Sequence, residues 1–205
     1  MYFLREALRK GIISYSQVRR LPVEWLKYKL GRPNMNFIED AVKYIAGIEE
    51  KALEETAEAC FNRYIKQNIY RAASKLIKEA QERAERVIFA TSSILTIVRP
   101  LERFLGIEKA LATTLEFCGG KTTGKIAGNS FFGLKKKTAV EAWLNENNIS
   151  LNDVSFYSDS YTDLPLLEIC GRPVAVNPDM TLARNAKKRG WEILRFREVL
   201  GEKFF

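Results

Sequence analysis

The sequence predicts an α/β fold: a Rossmann-like parallel sheet with helices on both faces, joined to a small helical region. Three observations predict it. Residues 1–70 carry helical apolar stripes and no strand pattern, whereas after Tyr70 short apolar runs alternate with helical ones. One of those runs, Val154 to Tyr157, empties into a loop with two carboxylates, Asp159 and Asp163, and a helix starts at Leu164. Alternating strands and helices favour a parallel sheet, and such sheets bind ligands beyond the carboxyl ends of their strands.

In the first 70 residues, Phe3, Leu4, Ala7 and Leu8 mark a helix that stops at Gly11. A second stretch, Ser14 to Leu30, is interrupted by Pro22 and closed by Gly31 and Pro33. Phe37, Ile38, Ala41, Val42 and Ile45 form a third stripe, and Leu53, Ala57, Phe61, Tyr64 and Ile65 a fourth. Each has the spacing of a helix with one buried face. Trp25, Tyr28 and Tyr44 are read as packing residues rather than a ligand box.

From Ala72 to Glu85 a helix leads into Val87–Ala90, a short strand followed by Thr91, Ser92 and Ser93. Ile97, Val98, Leu101 and Leu105 carry the next helix to Gly106. Gly119 and Gly120 are placed to close a hairpin between LATTLEFC and KTTGKIAG. Ala139, Val140, Trp143 and Leu144 form the buried side of a helix over Lys136–Asn147. Val154–Tyr157 and Val174–Val176 are strands, and Glu192–Leu194 a last edge strand. The division is therefore a helical region over 1–70 and an α/β core over 71–205.

Composition narrows the chemistry. With 46% hydrophobic and 28% charged residues, the 205-residue chain can bury a core. A net charge of +8 attracts anions without choosing among phosphate esters, nucleic acid and acidic surfaces. There is no histidine, which excludes Ser-His-Asp and Cys-His catalysis and every His-ligated metal. Cys60, Cys118 and Cys170 are widely spaced and odd in number, so a reducing, cytoplasmic setting is expected. No apolar run reaches the ~20 residues of a membrane span.

Asp159 and Asp163 suit Mg²⁺, a hard cation that takes oxygen ligands and often bridges to phosphate. Taken alone, they read first as a helix cap, Asp159, and a first-turn acid stabilised by the helix dipole, Asp163. Thr91, with the turn that follows it, can hold a phosphate oxygen or cap a helix. Lys136 can neutralise phosphate, although it sits in a run, Lys135 to Lys137, of the kind that is usually solvated.

The string SDSYTDLPLLE followed by GRPVAVNPD resembles the last signature of the haloacid dehalogenase superfamily, in its phosphoserine-phosphatase-like branch. VIFATSS and the spacing of Gly133, Lys136, Ala139 and Val140 match two further signatures in the family's order. The resemblance implies a Mg²⁺-dependent phosphomonoester hydrolase acting on a small phosphorylated substrate. Asp159 would ligate the metal, Asp163 would support it, and Thr91 and Lys136 would bind phosphate, with residues 1–70 as the cap. The family forms its aspartyl-phosphate on a D-x-D-x-T motif at the end of its first strand, and this sequence contains no D-x-D. The expected core thus lacks that strand, which in the family lies between Val87–Ala90 and Val154–Tyr157. Direct pairing of those two strands, or an open slot between them, is expected, and the chain as written is expected to be inactive. The alternatives are a non-catalytic protein that keeps a phosphate pocket and, last, a basic nucleic-acid binder, for which no recognition motif exists. Oligomeric state is not encoded.

Overall fold

A computed structural model describes residues 2–18, 37–128 and 130–201. Helix α1 (Tyr2–Arg9) turns Ala7 inward and stops at Gly11 in the left-handed region. Its Glu6 is also fully buried, where Arg9 at 2.6 Å and Arg63 at 3.4 Å neutralise it. Helix α2 (Tyr15–Val18) begins the second stretch. The remainder of that stretch, with Pro22, Trp25, Tyr28 and Gly31, lies outside the described residues. Helix α3 (Phe37–Lys43) and helix α4 (Glu50–Cys60) follow, α4 running on through a π-helical turn over Phe61–Ile65.

These helices do not close a core among themselves. Ala7, Ile13, Val42, Ile45 and Leu53 bury against Leu115, with Ile94, Phe117 and Ile126 packed around them. Leu115 and Phe117 lie in strand β3 (Leu115–Cys118) and Ile126 ends strand β4 (Lys121–Ile126), the two arms of the antiparallel hairpin. Gly119 and Gly120 both have positive φ, as a two-residue turn matched to strand twist requires. Gly124 is needed for proximity: a Cβ there would lie 2.7 Å from the Ala46 methyl.

Helix α5 (Arg71–Glu82) leads to strand β1 (Ile88–Ile94), helix α6 (Leu95–Leu105) and strand β2 (Lys109–Thr113). Two expectations change here. Strand β1 runs four residues past Ala90, so Thr91 lies within it, in the segment where the register with β2 breaks between Ala90 and Ile94. The hairpin arm is shorter than LATTLEFC, because Ala110 to Thr113 belong to β2, which pairs parallel with β1. The reason is burial: Ala110, Leu111, Ala112 and Thr113 are all buried, as fits a parallel strand covered on both faces and not a half-exposed hairpin arm.

Helix α7 (Leu134–Glu146), strand β5 (Ser155–Ser158), helix α8 (Leu164–Leu167), strand β6 (Arg172–Val176), helix α9 (Met180–Arg189) and strand β7 (Glu192–Leu194) complete the order. β5, β6 and β7 form a parallel three-stranded sheet with β6 in the middle. Among the described residues β1 pairs only with β2 and β5 only with β6, so β1 and β5 do not pair directly. Among the described residues a side-chain cluster spans the two sheets: Leu111, Val140, Leu144 and Leu166, with Ile88, Ala90 and Phe156 around them. Among the described residues no helix is long and apolar enough to cross a membrane.

Candidate active site

At the carboxyl end of β5 the chain turns through Ser158–Asp163 into α8. Ser160 accepts a hydrogen bond from the Thr162 N–H and caps a short 3₁₀ turn over Tyr161–Asp163. Asp163 then occupies the N-cap position of α8, yet its side chain makes no capping bond. Its Oδ1 instead accepts from Lys136 Nζ at 2.6 Å and its Oδ2 from Ser158 Oγ at 2.7 Å. All three residues are buried, Lys136 and Asp163 at 7% and 8% exposure. A buried ammonium is tolerated only with such a partner.

The lysine run therefore divides. Lys135 reaches Glu39 at 3.3 Å, Lys136 turns inward to Asp163, and Lys137 lies 3.9 Å from Glu141 on its own helix. Only the middle one is buried away from solvent.

Asp159 behaves differently from Asp163. It is exposed, and its carboxylate makes no hydrogen bond or ion pair among the described residues. Its carbonyl oxygen accepts from the Asp179 N–H at 2.9 Å. The Asp179 side chain accepts from Tyr161 N–H at 2.7 Å and from Leu182 N–H at 2.8 Å, which pins the Asp159 loop to the start of α9. Asp159 is thus the carboxylate left without a side-chain partner, whereas Asp163 is engaged by Lys136 and Ser158. Among the described residues no three His, Cys, Asp or Glu side chains gather as a metal cage. A single carboxylate leaves most of an octahedral Mg²⁺ shell to water and substrate oxygens.

Thr91 is half-buried, and its Oγ1 accepts from Ser93 N–H at 3.1 Å. It makes no contact of hydrogen-bond length with Lys136 or Asp159. Its strand is tied to the segment before α7 by Thr113, which is fully buried: Oγ1 donates to the Ser92 carbonyl at 3.3 Å and accepts from Phe131 N–H at 3.2 Å. The geometry brings Lys136, Asp163 and Ser158 into contact, and leaves Thr91 within β1 and Asp159 in the loop after β5 without a hydrogen bond to that group.

Glu39 escaped the sequence reading. From α3 it accepts a 2.6 Å hydrogen bond from buried Ser130, 91 residues away, and the salt bridge from Lys135. Its other oxygen, Oε2, is buried with no partner. Burial alone would raise its pKa, but the hydrogen bonds from Ser130, its own backbone N–H and Lys135 outweigh that and hold it below the usual carboxylate range. Asp179, Thr113 and Ser130 were missed as well. Only Asp179 left a local signal, an N-P-D string before a helix.

Comparison with known proteins bears on the family and the fold. The sequence profile of the haloacid dehalogenase-like hydrolases matches residues 1–168. Phosphoserine phosphatase SerB1 of Mycobacterium tuberculosis is 29% identical over 202 residues, covering 96% of this chain and 66% of that protein. The chain thus spans just under two thirds of that relative's length. A histidinol-phosphatase of Neisseria meningitidis is 33% identical over 163 residues, covering 75% of this chain and 72% of the relative. Among solved structures, a Bordetella pertussis protein of unknown function superposes with a TM-score of 0.78 at 27% identity, covering 86% of this chain and 81% of its own.

Proposed function

This chain belongs to the haloacid dehalogenase-like hydrolases, and we propose that its site serves phosphomonoester hydrolysis of the phosphoserine-phosphatase type. The observation that carries the proposal is the buried Lys136–Asp163–Ser158 triad at the carboxyl end of β5, with exposed Asp159 one residue beyond Ser158. Lys136 is a cation fixed in place before any substrate arrives, so its field needs no reorganisation when a phosphate approaches. Asp163 positions that ammonium. The Thr91 hydroxyl, whose oxygen accepts from the Ser93 N–H, keeps its own proton to donate to a phosphate oxygen.

Asp159 would hold Mg²⁺ together with water and substrate oxygens. When bound, the ion supplies positive charge to the phosphoryl group. Residues 1–70 form the cap in this proposal and 71–205 the core. A small phosphorylated substrate is the expected partner, and the three free cysteines suit a cytoplasmic setting.

An in-line carboxylate nucleophile is the one component these 205 residues do not present as D-x-D. That observation favours the second reading, a phosphate-binding protein without turnover. One experiment addresses both. Phosphate binding to the 205-residue chain is titrated with and without Mg²⁺, beside turnover of phosphoserine and an aryl phosphate. We expect Mg²⁺-assisted phosphate binding, weakened about tenfold or more by Lys136→Met or Asp159→Ala, and no appreciable turnover. Binding unaffected by either substitution refutes the phosphate site. Turnover abolished by Asp159→Ala shows that another group supplies the nucleophile.

A further inference from the structure

A cleft of about 730 Å³ lies between α4 and α6 and is closed by the start of β3. That is within the ~300–1,000 Å³ range of small-molecule sites. Thr91, Lys136, Asp159 and Asp163 are not among its lining residues. Its walls carry opposite net charge: on α4 Glu50, Glu54, Glu55 and Glu58 outnumber Lys51, and on α6 Arg99 and Arg103 stand without an acid among that helix's lining residues. On α4, Glu50, Glu54 and Glu58 recur at four-residue intervals and share one face. On α6, Arg99 and Arg103 do the same.

The two rows meet once, in the ion pair of Arg103 with Glu58. No other ion pair joins the two rows among the described residues. Arg99 has only a long contact, 3.8 Å, to Glu102 of its own helix. Glu50 and Glu54 make no ion pair among the described residues. Leu95, Leu115 and Phe117 supply the apolar surface between the walls.

This layout selects by charge pattern. A simple anion meets Arg99 but also the Glu50–Glu54 wall, and a simple cation meets the reverse. A molecule with an ammonium at one end, a carboxylate at the other and an apolar body satisfies both walls through charge-assisted hydrogen bonds and covers the apolar surface. We propose that the cleft between α4 and α6 binds a zwitterion of the apolar amino-acid or short-peptide class. The site is independent of the phosphate-handling residues, and its test does not depend on catalytic activity.

The experiment is calorimetric titration of the full chain with L-leucine and leucyl-leucine, beside N-acetyl-leucine, which lacks the ammonium, and leucinamide, which lacks the carboxylate. Saturable binding of at least one zwitterion is expected, with each control weaker by about tenfold or more. Arg99→Gln should bring the zwitterion down to the affinity of leucinamide and leave leucinamide unchanged. Glu54→Gln should do the same with respect to N-acetyl-leucine. Both substituted side chains are exposed, so circular dichroism should show an unchanged fold. The proposal is overturned by an absence of saturable heat with either zwitterion up to about 10 mM, a weak limit for a specific site. It is equally overturned if the controls match the zwitterions, or if both variants leave affinity unaltered.

Discussion

Replacing Lys136 with Met removes the ammonium while keeping a side chain of similar length, and strands the Asp163 carboxylate with Ser158 as its only donor. The two side chains are 9% exposed each and 2.6 Å apart, so water cannot take over for the lost partner. Breaking a pair of this kind costs about 3–5 kcal/mol, set against a typical whole-domain stability of ~5–15 kcal/mol. For a chain of this size each kcal/mol moves Tm by about 2–4 °C, so a fall of roughly 6–20 °C is expected. Asp163→Leu should cost a similar amount, because it leaves the ammonium bare. Lys136→Met/Asp163→Leu removes both charges, so the double variant should lose less than the sum of the singles, by at least about 2 kcal/mol. Urea unfolding of all four proteins, with m-values compared, gives the cycle. Single variants that each lose under about 1 kcal/mol, or a double variant equal to the sum, would refute a desolvated pair.

Three further outcomes follow from the same contacts. Glu39 has its pKa depressed on folding, so its stabilisation is present above the ordinary carboxylate pKa and is lost as pH falls through the lower folded value. The stability gap between the wild type and Glu39→Gln should therefore widen from about pH 3 to 7, and a gap that does not change with pH would count against the Ser130 and Lys135 contacts. A Cβ at Gly171 would sit 1.9 Å from the Asn152 carbonyl oxygen, which is backbone and cannot rotate aside. Gly171→Ala should thus cost about 1–3 kcal/mol or more in denaturant melts, and a cost near zero would mean that the turn yields freely. Strand β6 is paired on both sides, whereas β1 and β5 each have one unpaired edge among the described residues. Amide exchange should be slowest at Val174 and Ala175 and faster in β1 and β5. Equal protection across all three strands would show that the gap is closed in solution.

The elements were legible because burial repeats locally. A helix buries one face every 3.6 residues and a strand every second one, so the stripes of α3, α4 and α7 and the apolar runs of β5 and β6 stand out in the chain. Gly119–Gly120 announced its turn because paired positive φ values favour glycine. The ends of β1 and the split between β2 and β3 were not legible. Both depend on which neighbour a strand meets: Ala110–Thr113 are held by β1 and Leu115–Cys118 by β4.

By itself, then, the sequence determined the α/β class, the absence of histidine chemistry, and Thr91, Lys136, Asp159 and Asp163 as candidates. Tertiary structure decided what those groups do to one another. It turned Lys136 inward across 27 residues to Asp163, left Asp159 exposed, and joined Glu39 to Ser130 across 91. A carboxylate in the sequence reads alike as a cap, a metal ligand or an ion-pair partner. The choice is made by the desolvation it meets on folding, because a buried charge must find its counter-charge while an exposed one can wait for a ligand.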